Sequence, residues 1–332
     1  MKTKENALTN IVEEIAAGYR GSQILLTANR LGLFAALGEK AMTSIELAKA
    51  LDADPRGIRI LCDALASLSL LDKIGNAYQN SQAALKSLIP GAPQSKTALL
   101  LHSARLYEKW GKLYDAVKKG TPAREEDIDP RLISDETAFA KAMADVGRLS
   151  AIEIAEKLDL SGVKKLLDIG GGPGLYSIEF ARRNPELRAV ILDNEKTLKV
   201  AQQNIQQAGL SDRVSVQAVD ALEDNFGQGC DYIFISNVIH SYSAIENAAL
   251  VVKCAKALAP KGHLCIKDFM LDSTRTQPQW CALFAINMLV NTESGDCYTR
   301  EEVRHWMQTA DLEHVAEMDV CGQSHIIVAR KK

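Results

Sequence analysis

The stretch Lys165-Leu166-Leu167-Asp168-Ile169-Gly170-Gly171-Gly172-Pro173-Gly174 decides how the rest of the chain is read. A strand buried on both faces of a parallel sheet reads as a nearly continuous apolar run, and this one ends in an acidic residue followed by glycines at alternate positions. Glycine suits a turn whose backbone bends sharply and comes close to a ligand, because it has no Cβ and tolerates positive φ. A dinucleotide turn requires G-x-G-x-x-G, with the third glycine packing helix on strand. Counted from Gly170, that third position is Leu175, so the dinucleotide pattern fails and D-x-G-x-G-x-G remains. An ordinary strand-to-helix loop is the bland alternative, and the downstream residues decide between the two.

After a helical pattern around Ile178-Glu179-Phe180-Ala181, the run Ala189-Val190-Ile191-Leu192 reads as a second buried strand ending at Asp193. That carboxylate stands about 20 residues beyond the glycines, the separation at which an acidic side chain meets ribose hydroxyls. A third strand, Val214-Ser215-Val216-Gln217-Ala218, leads to Asp220 and Ala221. The fourth, Tyr232-Ile233-Phe234-Ile235-Ser236-Asn237-Val238-Ile239, delivers His240, and the fifth, Leu264-Cys265-Ile266-Lys267, delivers Asp268. Further strands are expected near Glu313 and Ser324, with helices between, which makes an open α/β sheet. Ligands of such sheets sit outside the carboxyl ends of the strands at the topological switch point, so residues 170–174, Asp193 and Asp220 should converge on one crevice.

Length and composition narrow the class. With 332 residues two domains are expected. A net charge of −3 without a basic stripe argues against a nucleic-acid or membrane-surface protein. Residues 1–10 are polar and no run approaches about 18 apolar residues, so a cytoplasmic protein with no membrane partner is expected. Seven cysteines without a C-x-x-C pair read as reduced, mostly buried thiols, and the six histidines are scattered without a His-x-x-x-His pair, so no metal is expected.

The first 90 residues repeat short amphipathic helix patterns. Thr43 followed by Glu46 is a capping box for a helix through Leu51. Asp54 and Pro55 open another, with Ile58, Leu61, Cys62, Leu65 and Leu68 on one face. Two short strands, Leu71-Asp72-Lys73-Ile74 and Ala77-Tyr78-Gln79-Asn80, would form a hairpin about Gly75-Asn76, giving a helix-turn-helix with a wing. A DNA-binding regulator is the rival that this element raises. A major-groove reader needs exposed basic and amide side chains over several turns, whereas this helix offers Arg56 and Arg59, offset by Asp63 and followed by Ala64, Ala66 and Ser67. Helices are then expected over 99–119 and 137–157, around an acidic loop at 121–130.

Taken together, the segments resemble class I S-adenosylmethionine-dependent methyltransferases, and nearly the whole chain resembles the bacterial relatives of the caffeic acid and acetylserotonin O-methyltransferases. The resemblance implies a Rossmann-like, seven-stranded, mostly parallel sheet preceded by an all-α/winged-helix domain. It implies a dimerising domain at 1–94, a helical linker at 95–160 that helps to form the substrate pocket, and a cofactor-binding domain at 161–332. The cofactor would be S-adenosylmethionine, leaving as S-adenosylhomocysteine. Asp168, Gly170, Gly172 and Gly174 would take its methionine end, Asp193 and Asn194 the ribose, Asp220 and Ala221 the adenine, with Ser236 and Asn237 alongside. His240 matches the family's general base and Asp268 a glutamate that flanks it. Departures follow at once: Ser241-Tyr242 replaces the usual Asp-Trp, Ser236 stands where plant enzymes place a lysine against the cofactor, and Cys297 stands where they place a second glutamate, with Glu293 and Asp296 near it in sequence. Trp110, Met143, Phe284, Asn287, Met288 and Asn291 would line the pocket for a small apolar or aromatic acceptor, and His102 is a further large side chain in the helical middle, although ordinary packing explains a Met-rich face as well.

The chemistry suits a histidine there. Displacement at a sulfonium methyl asks chiefly that the acceptor be held in line, and orientation of this kind can supply roughly 7–11 kcal/mol. A phenol of pKa about 10 gains a further ~10²–10⁴-fold from an imidazole, pKa about 6.5, that takes its proton as the bond forms. Methylation at carbon or nitrogen is the alternative within the same fold, and a cofactor-sensing DNA-binding regulator the alternative outside enzymes.

Overall fold

The computed structural model describes residues 2–92, 94–122, 136–320 and 323–332. Two compact units result, Met1–Tyr107 and Glu108–Lys332. Their division falls inside the expected linker, within the helix Thr97–Trp110. The single helix expected over 99–119 is two helices, Thr97–Trp110 and Leu113–Lys119, parted at Gly111-Lys112, where glycine's backbone freedom weakens a helix interior. Most of the expected acidic loop, residues 123–130, lies outside the described residues.

In the first unit the expected signals produce the expected elements. Thr43 and Glu46 make a reciprocal capping box on the helix Ser44–Ala50, and Asp54 accepts from Gly57 N–H at the start of Pro55–Ser67. Strands β1 (Met42–Thr43), β2 (Leu71–Ile74) and β3 (Ala77–Asn80) form an antiparallel wing in the order β1-β3-β2. Gly75 has φ +56°, the conformation a two-residue hairpin turn requires. Ile58, Cys62 and Leu65 of the second helix join Leu33, Phe34, Leu47 and Tyr78 in one core. Asp63, on the opposite face, accepts hydrogen bonds from Arg59, Lys73 and Tyr78. Two of the few cations near this helix are therefore tied to a carboxylate, while Ile45, Ile60, Leu68 and Ile74 are exposed apolar side chains of the same region.

The second unit is a seven-stranded sheet of β4 (Lys165–Ile169), β5 (Arg188–Asp193), β6 (Val214–Ala218), β7 (Cys230–Ser236), β8 (Leu258–Asp268), β9 (Leu312–Val320) and β10 (Ser324–Lys331). The order is β6-β5-β4-β7-β8-β10-β9, parallel from β6 to β8, with β10 antiparallel to both its neighbours. The chain runs from β4 outward to β6 and then returns across β4 to β7, so the switch point lies between β4 and β7. Each face is covered. Leu167, Ile169, Ile233, Ile235, Leu264 and Ile266 pack on one side, and Leu166, Ile191, Phe234, Cys265 and Ile326 on the other. Burial on both faces is what made these strands legible as unbroken apolar runs.

Candidate active site

The three alternate glycines are all left-handed: φ is +66° at Gly170, +55° at Gly172 and +78° at Gly174. Sterics fix the neighbours as firmly. A Cβ on Gly170 would collide with the Val238 side chain, one on Gly171 would lie 2.7 Å from Asp168 Cγ and 2.9 Å from Ile191, and one on Gly174 would lie 2.7 Å from Ile191 Cδ1. Gly172 alone among the four has nothing within 4 Å of that position, so its backbone faces open space at the mouth of the sheet. Gly171 was absent from the alternate-glycine pattern, yet no larger residue fits there without displacing Asp168.

Hydrogen bonds join this turn to the neighbouring strand end. Gly170 N–H donates to Leu192 O (2.7 Å), and Gly172 N–H donates to Asp193 Oδ2 (2.8 Å), tying the turn to the end of β5. Asp193 Oδ1 accepts from the backbone and side-chain amides of Asn194, which itself caps the helix Glu195–Gln207 through Thr197 N–H. The exposed Asp220 orders its own loop, accepting from Leu222 and Glu223 N–H, and Ala221 packs against the core beside it. Ser236 is 7% exposed, and among the described residues its hydroxyl has no partner. Asn237, at φ +58°, is held by Lys267: its N–H donates to Lys267 O (2.9 Å), and its Oδ1 accepts from Lys267 Nζ (2.9 Å).

Asp168 differs from the other acidic positions. Its carboxylate is fully buried beneath Gly171 and accepts from Ser177 Oγ (2.7 Å), while its other oxygen has no partner among the described residues. Burial pushes its pKa up to about 7, against the hydrogen bond from Ser177, and the nearby negative charge of Asp193 adds to the rise. The structure thus places Asp168 as a support of the turn, with the glycines between it and the crevice.

His240 lies in a single turn of 3₁₀-helix, Ile239–Ser241. Several contacts fix that turn. Asn247 Nδ2 donates to Ile239 O (2.8 Å) and Tyr242 O (3.1 Å), Tyr298 Oη donates to Tyr242 O (2.5 Å), and Gly295 packs so close to His240 O that a Cβ would collide with it. His240 Nδ1 lies 2.7 Å from Oδ1 of the buried Asp268, which also accepts from Phe269 N–H (2.8 Å). Burial alone would raise the Asp268 carboxyl, but the hydrogen bond from His240, the Phe269 N–H and the charge of Lys267 together hold it below the ordinary range. An ionised carboxylate only accepts. Nδ1 therefore carries the hydrogen, and Nε2 is left as the basic nitrogen. Phe284 meets the imidazole edge-on (5.0 Å, 84°), Phe269 stacks beside it (6.1 Å, 22°), and Trp280 packs against both rings.

The residues expected to bound the acceptor fall into two groups. Trp110 Nε1 donates to Asn287 Oδ1 (3.0 Å), and Asn291 Nδ2 donates to Asn287 O (2.7 Å) and Oδ1 (3.1 Å), so these three form one network along the helix Gln279–Asn291. Phe284 is the member of that helix on His240; Met288 is buried and Met143 half-buried. His102 belongs to the first unit. None of the three candidates for a second carboxylate reaches His240: Cys297 is a buried thiol whose pKa burial pushes well up, Asp296 pairs with Arg275 (2.6 Å), and Glu293 is exposed. Lys267, Phe269 and Trp280 had not been singled out in the sequence. For Lys267 the signal was present, a charge ending the apolar run 264–266. A cavity of about 570 Å³ lined by Lys253, Lys256 and Trp306 includes none of these site residues. Among the described residues, no cluster of three or more His, Cys, Asp or Glu is arranged to hold a metal, and no helix is long and apolar enough to cross a membrane.

Comparison with known proteins gives two family matches, the O-methyltransferase domain over residues 127–312 and the O-methyltransferase dimerisation domain over residues 13–88. Among individual proteins, the 3-hydroxy-5-methyl-1-naphthoate 3-O-methyltransferase of Streptomyces sahachiroi is 29% identical over 310 residues, 92% of this chain and 90% of its own length. The L-tyrosine C(3)-methyltransferase of Streptomyces lavendulae is 36% identical over 151 residues, 46% of this chain and 41% of its own. The crystal structure of human N-acetylserotonin methyltransferase in complex with S-adenosylmethionine superposes with a TM-score of 0.86 at 23% identity, covering 98% of this chain and 97% of that one, a likeness of fold.

Proposed function

The chain belongs to the O-methyltransferase family of S-adenosylmethionine-dependent enzymes, and we propose that it methylates a hydroxyl of a small aromatic metabolite with His240 as general base. The observation that carries this reading is the His240–Asp268 pair set in a wall of aromatic rings at the carboxyl end of the sheet. Asp268 fixes the imidazole with Nδ1–H inward, so Nε2 accepts the hydroxyl proton and the imidazolium that forms keeps its charge beside a carboxylate. Phe269, Phe284 and Trp280 offer flat apolar faces to a planar acceptor.

The residues at the switch point fit the cofactor. Gly172 leaves room for close approach, Asp193 presents its carboxylate beside the turn, and the Ser236 hydroxyl is a buried polar atom awaiting a partner. When bound, S-adenosylmethionine supplies the methyl group on a sulfonium leaving group. The protein's part is to hold the acceptor oxygen in line, exclude water and take up the proton. Among relatives, one acts on a naphthoate hydroxyl and another on a tyrosine ring carbon. The same base that deprotonates a phenol also activates its ring for methylation at carbon, so the second reading is C-methylation of a phenol. The half-exposed apolar side chains of the first unit, and its match to the dimerisation domain, support a homodimer.

Methyl transfer from S-adenosylmethionine to a panel of phenols and hydroxynaphthoates, with the product position fixed by NMR, tests the function. An O-methyl product formed by the wild type and lost in His240→Gln is expected. Undiminished turnover in that variant would remove His240 from the reaction.

A further inference from the structure

Lys267 is a buried ammonium that the reaction as described leaves without a task. It is 3% exposed, and its Nζ lies 5.8 Å from the centre of the Tyr176 ring and 5.6 Å from that of Phe269. An ammonium has three hydrogens to donate, and among the described residues Lys267 donates only to Asn237 Oδ1. Asp268 follows it in the strand, but successive side chains point to opposite faces, and the Asp268 Oδ1 serves His240 and Phe269 N–H. A charge taken out of water is costly to hold unless a counter-charge meets it. Aromatic faces and the charge of the neighbouring Asp268 carboxylate offset part of that cost, and the spare N–H donors still suit a further anion.

A second orphan stands beside it. Ser236 is the register partner of Lys267 across β7 and β8, so the two side chains share a face of the sheet. Its hydroxyl is buried and, among the described residues, without a partner. One strand further lies the glycine turn, and Val238, two residues on, is the side chain against which Gly170 packs. An ammonium with spare donors and a buried hydroxyl thus share one face of the sheet at the ends of adjacent strands, beside the strand that carries the glycine turn.

We propose that Lys267 and Ser236 form a carboxylate-binding pocket, occupied by the α-carboxylate at the methionine end of the cofactor. This rests on the cofactor reading above. Carboxylate is the chemistry indicated: a small planar anion that accepts from an ammonium and a hydroxyl at once. The cation approaches from β8, although the β7 position carries only a serine. A carboxylate on the acceptor itself would have the same chemistry, and the test separates the two sources.

Titration calorimetry on the full-length wild type, Lys267→Met and Ser236→Ala, with S-adenosylhomocysteine and with 5′-methylthioadenosine, reads the pocket directly, because the second ligand keeps the nucleoside and thioether and lacks the amino-acid end. Lys267→Met should weaken S-adenosylhomocysteine by roughly 10- to 100-fold, the loss of a charge-assisted hydrogen bond, and Ser236→Ala by less. Methylthioadenosine should bind all three proteins alike, which also shows that the variants fold. If S-adenosylhomocysteine is unaffected while a hydroxynaphthoate loses affinity in Lys267→Met and the matching naphthol does not, the carboxylate belongs to the acceptor. Affinities for S-adenosylhomocysteine and hydroxynaphthoate that both stay within about twofold of wild type would overturn the pocket. A wild type that binds neither nucleoside would instead sink the cofactor reading, leaving the pocket to the hydroxynaphthoate comparison.

Discussion

Replacing Asp168 by asparagine should stabilise the protein in alkali and do little in acid. The carboxyl is fully buried, one oxygen accepts from Ser177 and the other has no partner among the described residues. Burial raises its pKa from 3.8 to about 7. The folded chain therefore holds this proton more tightly than the unfolded chain, and folding takes up a proton between those two values. Stability that Asp168 leaves intact below pH ~4 is lost progressively as pH rises to about 7, the linkage slope being negative where the folded state binds more protons. A rise of roughly three units, at 1.36 kcal/mol each, sets a ceiling of about 4 kcal/mol, of which roughly 2–3 kcal/mol falls between pH 5 and pH 8. Asparagine has the shape of the protonated acid and cannot ionise, so it escapes that loss. Urea denaturation of both proteins at pH 5 and pH 8, without cofactor, measures the difference. The advantage of Asp168→Asn should grow by that amount at the higher pH. An advantage that is the same at both, or that shrinks with pH, would refute the argument that this carboxyl is buried protonated under the glycine turn.

Asp193→Ala should weaken S-adenosylhomocysteine by roughly 1.5–3 kcal/mol in calorimetry through lost charge-assisted hydrogen bonds; unchanged affinity would take Asp193 out of the site. Asp268→Asn should lower turnover while leaving that affinity intact, because the asparagine amide no longer holds His240 with Nδ1–H inward, and a variant as fast as wild type would show that the tautomer does not matter. Gly171→Ala should either fail to fold or lose cofactor binding, since its Cβ would lie 2.7 Å from Asp168 Cγ and 2.9 Å from Ile191; a fully active, equally stable variant would contradict the packing. Thr299→Ala, which removes a capping box from the helix Arg300–Thr309, should cost about 1 kcal/mol of stability with turnover per folded molecule unchanged, both read from a melt and an assay of the same sample.

What the sequence made legible follows from what is local. The apolar runs at 165–169, 189–192 and 232–235 could be only buried parallel strands, the glycine spacing separated one nucleotide turn from another, and the capping residues at Thr43 and Asp54 fixed helix starts within a turn. Each signal depends on neighbours a few residues away. The resemblance implies a seven-stranded, mostly parallel sheet, whereas its order from β6 through to β9 depends on long-range pairing that no local signal records; the break at Gly111 has a local cause, the glycine itself, that the apolar periodicity passes over.

The candidate site divides along the same line, and Asp168 and Lys267 show why. Both stand at the end of an apolar strand run, and in the sequence alone an acidic residue before glycines looks like a ligand while a lysine before an acidic residue looks like surface. Burial reverses both impressions. Asp168 lies under the turn with Gly171 pressed on its carboxylate, so its influence on a ligand passes through backbone and field. Lys267 lies inside between two rings, its ammonium clasping the turn that carries His240. The direction of a side chain at a strand end is set by pleat parity: residues 166, 234, 265 and 267 share one face and 167, 235, 266 and 268 the other. Parity makes adjacent residues on β8 act on different parts of the reaction, with Asp268 on the base and Lys267 on the turn beside the glycines. It also explains how a cation can arise at the mouth of the sheet although β7 ends in Ser236: the register pair Ser236 and Lys267 offers the same face from the next strand.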